Sequence, residues 1–423
     1  MGSVRGVSSR DTAHRNNYHD LLGLHHSMLL RRRLRGVGVD STDWHGHVAT
    51  LLAAWPQRLA DQRVLRESLP TVQPLAETVG DLYSALFRDR PHLRNLFPES
   101  LQAQQERFAW SLIRLIDDMD KPDVLIPIFA ELGRAHRKLG VRTVHYGPFG
   151  SAFLEALRGR AGAAWRPEYE AAWLRAYGFI SDVMSSAAQS DIYTPPYVRA
   201  TVVHHTLRRP DLAVLRVQPA QPYPFVAGQY ATVESPRLPH AWRSYSIASA
   251  PGENEPLEFH VRATGTGRLS DVLVHHTRVG DVLRLAPARG TVTLAPPSER
   301  GVLLAAGGTG LATVKALLTE VARRPDPPAT WLFFGARTRE DLYEQEELSR
   351  CAGRYLWLRV VFAVSHGDAY PYEAGTVVDA VARRGNWAGY DAYLSGPRGM
   401  VEALRDLLVT LGIELDRIRY DPQ

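Results

Sequence analysis

Cysteine is nearly absent from this 423-residue chain, which has one, Cys351. One thiol allows no intrachain disulfide and suits a reducing cytoplasm. It also excludes a cysteine-ligated iron–sulfur cluster or cysteine zinc site, because each needs several thiolates. Lysine is scarce too: Lys121, Lys138 and Lys315 are the three, so arginine supplies the rest of 50 basic side chains, scattered among 45 acids. A nucleic-acid binder gathers its charge on one face or tail. The scatter here reads as arginine bias behind a net charge of +5, and no nucleic-acid partner is expected. Long apolar runs are missing as well. No stretch approaches the ~20 residues of a membrane span, and no signal-peptide core opens the chain, so a cytoplasmic protein without membrane contact is expected.

What is present suffices for several cores. Apolar residues make up 45% and aromatics 9%, and the length exceeds the roughly 250–300 residues at which one core stops growing. Residues 1–60 read as an extension rich in Arg, His and Gly. Its His25-His26 and His45-Gly46-His47 read as solvated rather than metal-binding. Arg31-Arg32-Arg33-Leu34-Arg35 reads as a solvated arm, with docking to an acidic protein partner or a membrane surface as the second reading. From 61 to 190 the pattern is helical. Leu75, Val79, Leu82, Tyr83, Leu86 and Phe87 form one stripe, stopped by Pro91; Phe108, Leu112, Leu115 and Ile116 form another. A third, Val124, Ile128, Leu132, His136 and Leu139, ends at Gly140 and places His136 on the buried face of its helix.

An imidazole on an apolar helix face is more often a bonded core residue than a ligand. The neighbours of His136 change that reading. A haem pocket needs an imidazole on one side, an aromatic wedge against the porphyrin and a hydrogen-bonding group over the sixth position. Asp81-Leu82-Tyr83-Ser84-Ala85-Leu86-Phe87, followed by Pro91-His92-Leu93-Arg94-Asn95-Leu96-Phe97, resembles the distal half of a flavohaemoglobin globin domain. The resemblance implies that Tyr83 is the distal tyrosine, Phe97 the haem wedge, and Gln104 with Phe108 the distal glutamine and its apolar partner. It makes His136 the iron ligand of a haem b and Tyr146 the border of the proximal pocket. Ala172-Trp173 and Ala176-Tyr177-Gly178 resemble the last globin helix. Two positions depart from the family: its late glutamate is replaced by Ala187-Ala188-Gln189, and its lysine before the proximal histidine is Ala135. A carboxylate on the imidazole pushes electron density toward iron. The departures therefore imply an iron easier to reduce and weaker in oxygen activation.

After Asp191-Ile192-Tyr193-Thr194-Pro195-Pro196 the pattern turns to short strands: Arg199–Thr206, Ala213–Gln218, Gln229–Glu234, Tyr245–Ala248, Leu257–Arg262 and Val282–Ala286. Such spacing predicts a small antiparallel barrel over 191–297. Gly228-Gln229-Tyr230 followed by Arg243-Ser244-Tyr245-Ser246 resembles the flavin-binding barrel of the ferredoxin-reductase-like superfamily. By residue chemistry, an arginine suits a phosphate, a tyrosine ring suits a flat aromatic system and hydroxyls suit polar ring edges. The resemblance implies that Arg243 neutralises the FAD pyrophosphate, Tyr245 packs on the ring and Ser246 bonds near the ring nitrogen that accepts hydride. Gly267-Arg268-Leu269-Ser270, opening a helix through Val272–Val274, is implied as the second phosphate element.

Over 298–423 the reading is α/β. Val302-Leu303-Leu304-Ala305-Ala306 is a buried strand, Gly307-Gly308-Thr309-Gly310 a tight turn and Leu311–Ala322 a helix, an order that lets backbone approach a dinucleotide pyrophosphate. Trp331–Gly335, Leu358–Val364 and Asp391–Leu394 add strands for a parallel sheet. Gly335-Ala336-Arg337-Thr338-Arg339 and Ser395-Gly396-Pro397-Arg398-Gly399-Met400 match the pyridine-nucleotide half of the same superfamily. Ser395 stands where cysteine is frequent and Thr313 where proline is usual. Arg337 and Arg339 suit the 2′-phosphate of NADP but are ordinary family residues, so NADH and NADPH both stay open. Tyr420, near the end of the chain, is the candidate to cover the flavin.

The expected architecture is an all-α globin, an antiparallel β-barrel FAD domain and an α/β Rossmann-like NAD(P) domain behind the N-terminal extension. The resemblance implies an oxidoreductase passing electrons from NAD(P)H through FAD to haem, with O2 and NO as small-molecule partners and nitric oxide dioxygenase as the leading activity. Two alternatives stay open: a haem-based gas or redox sensor with a built-in reductase, and an FAD-dependent reductase for another acceptor.

Overall fold

The computed structural model describes residues 50, 52–53, 55–98, 100–191, 194–252, 255–265 and 267–421, which fall into a helical unit up to Pro196 and a second unit from Tyr197 onward. The N-terminal histidine pairs, Arg31–Arg35 and Ile192-Tyr193 of the connecting stretch lie outside the described residues. No helix among the described residues is long and apolar enough to cross a membrane.

The helical unit comprises α1 (Arg58–Ser68), α2 (Leu75–Asp89), α3 (Gln102–Asp117), α4 (Pro122–His136), α5 (Tyr146–Ala161) and α6 (Pro167–Ser190). Helix α2 stops ahead of Pro91, whose ring then starts the 3-10 turn Pro91–Leu96. Proline suits that first position because its fixed φ fits and its missing N–H would be unpaired there anyway. Helix α4 runs into the turn Arg137–Leu139 and is terminated by Gly140 at φ +80°, a left-handed conformation that favours glycine. Trp173 of α6 is fully enclosed and donates its indole N–H to Ser68 Oγ at 3.0 Å, closing α6 onto the end of α1.

One expectation holds in part: His136 is enclosed at Nδ1, but the stripe it belongs to is not the most buried one. The fully buried face of α4 is Leu125, Ile126, Phe129, Ala130 and Gly133, while Val124, Ile128, Leu132 and His136 are half-buried. The reason is the approach of α6. A Cβ on Gly133 would lie 2.2 Å from the Met184 carbonyl oxygen, so the two helix backbones are in contact there and the face beside Gly133 becomes the inner one.

In the second unit, β1 (Val198–Arg209), β2 (Leu212–Pro219), β3 (Tyr230–Glu234), β4 (Arg243–Ser246), β5 (Leu257–Arg262) and β6 (Val282–Leu285) form an antiparallel sheet in the order β4-β3-β6-β1-β2-β5. Its outer strands meet through the Ile247–Phe259 bridge and the bond from Ala248 N to Glu258 O at 2.8 Å, which closes a barrel. Alternation sends Ala200, Val202, Leu215, Val217, Val233, Phe259 and Val261 inward.

The remaining strands, β7 (Gly301–Gly307), β8 (Thr330–Ala336), β9 (Leu358–Val364), β10 (Glu373–Ala374), β11 (Tyr390–Ser395) and β12 (Ile418–Arg419), make a parallel sheet in the order β10-β9-β8-β7-β11-β12. Helices α7 (Leu311–Ala322), α8 (Gln345–Arg354), α9 (Val377–Ala382) and α10 (Arg398–Thr410) connect it. Every residue of β7 is buried, as a central parallel strand requires. Strand order reverses between β7 and β11, and the crevice beyond the ends of such strands is where α/β sheets bind ligands.

Candidate functional site

The helical unit gathers its candidate residues around one aromatic cluster. Tyr83 is buried, with its ring 5.3 Å edge-on from Phe97 and 6.0 Å stacked on Phe87. Phe108 meets Phe149 at 5.5 Å and Phe153 at 5.9 Å, and Phe149 stacks on Tyr177 at 6.3 Å. Tyr177 donates to the Tyr146 carbonyl oxygen at 2.6 Å. Its ring sits where a Cβ on Gly150 would be, 2.4 Å from Cε1, so the α5–α6 contact depends on a missing side chain. Burial pushes the hydroxyls of Tyr83 and Tyr146 up to about 12; for Tyr83 the Arg107 charge works the other way. Both are therefore un-ionised hydrogen-bonding groups at neutral pH. Gln104 is half-buried and its Oε1 accepts from Arg107 Nη2 at 2.9 Å. Arg107 thus acts on both Tyr83 and Gln104, and sequence reading passed it over because it falls outside the apolar stripe.

His136 closes α4. Its Nδ1 is buried and has no hydrogen-bond partner among the described residues. Burial, with the Lys138 charge adding to it, brings the imidazole down to about 4, so it is neutral and carries an available lone pair. A neutral imidazole can bind a metal through its other ring nitrogen, and the acceptor that a metal-bound histidine ordinarily has at Nδ1 is not found among the described residues.

On the barrel, Arg243-Ser244-Tyr245-Ser246 is the whole of β4, paired to β3 with Tyr230 opposite Ser246 and Val233 opposite Arg243. Arg243 and Ser244 are exposed; Arg243 donates to the Trp242 carbonyl at 2.8 Å and keeps further donors free. Burial raises the Tyr245 hydroxyl, opposed by the Arg243 charge and assisted by Asp271. Gly228 sits at φ +91°, and a Cβ there would lie 1.9 Å from the Val292 carbonyl oxygen, so the turn before Tyr230 requires glycine.

Three expected contributions change. Gln229 accepts from Val226 N at 2.9 Å and donates to Gly290 O at 3.4 Å, so its side chain holds the barrel's own loops rather than facing outward. Leu269 and Ser270 are buried: Leu269 joins the barrel core and Ser270 bonds Thr264, leaving Gly267 and the exposed Arg268 as the accessible part of that element. The expected helix over Val272–Val274 is one α-turn, Leu269–Asp271, continuing as a π-turn to His276. At its start the Asp271 carboxylate already accepts from Gly265 N and Arg268 N, so those two amides are taken. Tyr420 is 3% exposed and packs in the sheet core with Leu404 and Leu408, which removes it as a flavin cover. The next residue, Asp421, is what reaches the barrel, accepting from Thr291 N at 3.0 Å beside Gly290 and Tyr230.

At the reversal point of the parallel sheet, Gly307-Gly308-Thr309-Gly310 meets Ser395-Gly396-Pro397. A Cβ on Gly310 would fall 2.2 Å from the Ser395 carbonyl oxygen, and one on Gly396, at φ +155°, would fall 2.9 Å from Gly307 N. Met400 packs its sulfur on Gly307. The two segments therefore touch backbone to backbone and leave a rim of glycine that a phosphate-bearing ligand can approach. Arg337 is exposed at the end of β8, whereas Arg339 donates to the Tyr370 carbonyl at 2.9 Å and lies 3.6 Å from Asp368.

A polar seam that sequence reading missed joins barrel to sheet. Lys315 of α7 lies 3.0 Å from Glu258 and from Glu344 and 3.2 Å from Glu347. His260 bonds Tyr343 at 2.8 Å and Glu258 at 3.0 Å, and Arg262 bonds Asp341 at 2.9 Å. Burial pushes Glu258 up, but its bonds with His260, Lys315 and Arg216 outweigh this and hold it well below the usual carboxylate range. Burial likewise disfavours the Lys315 charge, and the carboxylates overcome it.

Comparison with known proteins matches three successive stretches of the chain. The Globin family profile matches residues 80–184, the Oxidoreductase FAD-binding domain 199–294 and the Oxidoreductase NAD-binding domain 304–406. A flavohemoprotein of Bordetella parapertussis is 27% identical over 366 residues, covering 80% of this chain and 91% of that one. The ferredoxin–NAD(P)(+) reductase component of naphthalene 1,2-dioxygenase/salicylate 5-hydroxylase systems from a Ralstonia species is 35% identical over 226 residues, 53% of this chain and 68% of its own. Among solved structures, a flavohemoglobin from Malassezia yamatoensis with bound FAD and heme shares the fold with a TM-score of 0.67 at 18% identity, over 85% of this chain and 97% of that one.

Proposed function

We propose nitric oxide dioxygenase activity for this chain, which belongs to the flavohaemoglobin family and is an NAD(P)H-dependent oxidoreductase using FAD and haem. When bound, FAD takes hydride from NAD(P)H and passes on single electrons, and haem supplies the iron at which O2 and NO combine to nitrate. Residues 61–190 form the haem domain, 191–297 the FAD domain and 298–423 the nucleotide domain in this reading.

The observation that carries it is the helical unit, which buries the neutral imidazole of His136 and gathers Tyr83, Phe97 and Phe108 in one core. His136 would hold the haem. The un-ionised Tyr83 hydroxyl and the Gln104 amide would donate hydrogen bonds to the ligand, while Phe97 and Phe108 would keep water out. On the reductase side Arg243 would neutralise phosphate charge, Tyr245 would meet the flavin ring, and the Gly307–Gly310 and Ser395–Met400 segments would receive the nucleotide. The test is anaerobic reduction with NADH or NADPH followed by oxygenated nitric oxide. Nitrate should form in proportion to nucleotide consumed, and none above a haem-free control refutes the reading.

The unengaged Nδ1 favours a second reading. An imidazole that donates no hydrogen bond to an acceptor is a poorer electron donor, which suits an oxygen-binding sensor with its own reductase. Tight oxygen binding with little nitrate formed would select it.

A further inference from the structure

Thr313 makes contacts that the proposed electron path does not use. It is 3% exposed in the first turn of α7, where the Gly310–Ser395 backbone contact presses α7 onto the end of β11. From there its hydroxyl reaches two others: Ser395 Oγ donates to Thr313 Oγ1 at 3.1 Å, and Thr313 Oγ1 donates to Ser246 Oγ at 2.8 Å. Three hydroxyls on three elements, β11, α7 and β4, thus form one chain across the join of sheet and barrel.

The direction of that chain matters because a hydroxyl has a single proton. Ser395 gives its proton to Thr313, and Thr313 gives its own to Ser246. The Ser246 oxygen is then an acceptor on its inner side, so its own proton must point elsewhere, and no acceptor for it exists among the described residues. Ser246 is half-buried on the same strand as Arg243 and Tyr245. A proline at 313 would break this arrangement, since its side chain offers neither donor nor acceptor.

We propose that Thr313 is a positioning residue that fixes the Ser246 hydroxyl with its proton directed toward the flavin ring edge, and that Ser395, at the nucleotide crevice, sets the polarity of the chain. The inference rests on the reading of Arg243–Ser246 as the flavin site. Losing the Thr313 hydroxyl frees Ser246 to rotate, which weakens a hydrogen bond in hydride transfer without touching the nucleotide.

The experiment uses the full-length, FAD-loaded protein as wild type, Thr313→Val, Thr313→Ser and Ser395→Ala. Wild type that binds no FAD refutes the flavin site itself; everything below presupposes that it binds. Anaerobic stopped-flow with NADH and NADPH gives the limiting rate of flavin reduction and the nucleotide Kd. Thr313→Val should slow the limiting rate about fivefold, the worth of one hydrogen bond, with Kd changed less than about twofold. Thr313→Ser should recover to within about twofold of wild type. Raman ring-stretching bands of the oxidised flavin, recorded without nucleotide, should shift in Thr313→Val and return in Thr313→Ser. A wild-type rate and wild-type bands in Thr313→Val overturn the proposal, as does a Thr313→Ser protein no better than Thr313→Val, since that traces the effect to packing. If Thr313→Val fails to hold FAD, Ser395→Ala decides. It removes the donor that orients Thr313 and should slow reduction about threefold with shifted bands, whereas unchanged rate and bands refute the chain.

Discussion

Replacing Gly133 with alanine puts a methyl group where the α6 backbone already lies. The new Cβ would sit 2.2 Å from Met184 O, 2.6 Å from its Cα and 2.7 Å from its carbonyl carbon, against an ordinary contact of 3.4 Å or more. The obstruction is backbone, with no rotamer that can turn aside, so α4 and α6 must separate by about 1 Å to reach that contact distance. Overpacking of this kind costs about 1–3 kcal/mol, and a backbone clash belongs at the upper end. Alanine returns about 0.8–1 kcal/mol of helix propensity, leaving a net loss of about 2 kcal/mol. For a unit of this size that lowers Tm by about 4–8 °C. His136 lies three residues on, within the same turn of α4, so the displacement should also speed haem loss. Gly178→Ala is the control: nothing lies within 4 Å of its added Cβ, and it should gain up to about 1 kcal/mol. Circular-dichroism melts of the full chain and transfer of haem to an apoglobin acceptor measure both effects. A Gly133→Ala protein that melts with or above Gly178→Ala refutes the account of the α4–α6 contact.

His136→Ala should lose the Soret band while FAD absorbance is kept, read from one spectrum of the purified protein. Arg243→Ala removes a charge-assisted phosphate contact worth about 1.5–3 kcal/mol and should weaken FAD binding about tenfold or more by isothermal titration. Lys315→Met leaves Glu258, Glu344 and Glu347 facing one another in the seam without their cation, and should cost about 3–5 kcal/mol of reductase-unit stability in denaturant melts. The pH dependence follows from the shifts in the same seam. Glu258 and Asp341 are held below their unfolded values, so their stabilisation is present above the ordinary carboxylate range and is lost as pH falls through and below it. Lys315 is raised, so its share is full below about pH 10 and is lost only at more alkaline pH. Melts in a pH series should therefore show acid lability that Lys315→Met reduces.

Periodic and short-range features were legible in the sequence, and features set by close approach of distant segments were not. Leu311–Ala322, Leu257–Arg262 and Leu358–Val364 lie where the apolar pattern places them, because helix and strand periods are local properties. The α4 face was displaced because burial there is decided by Gly133 against Met184, fifty-one residues along the chain. Arg243–Ser246 was readable as residue types in order, but the occupation of Gln229 by Val226 and Gly290, and of two loop amides by Asp271, depends on loop folding that no motif spacing encodes. Tyr420 was misplaced for a related reason. An aromatic near the chain end is compatible with covering a ligand or filling a core, and its position beside β12 puts it in the core. Thr313 announced itself only as a residue out of place.

The surroundings of His136 carry a consequence for how such a protein is driven. Glu131 and Asp191 both lie near Arg134, at 4.0 and 3.5 Å, and the buried His136 Nδ1 has no hydrogen-bond partner among the described residues. If His136 holds the haem as proposed, an imidazole without an acidic partner at Nδ1 would be a moderate donor and would do little to favour the oxidised metal. Reduction at that site would then demand less of the electron source, and control would lie on the supply side. On that side the Lys315 cluster joins sheet to barrel, and the Ser395–Thr313–Ser246 chain fixes one hydroxyl at the barrel edge. Under the proposed reading, a weaker push at the histidine would be met by a fixed hydroxyl where the flavin takes hydride.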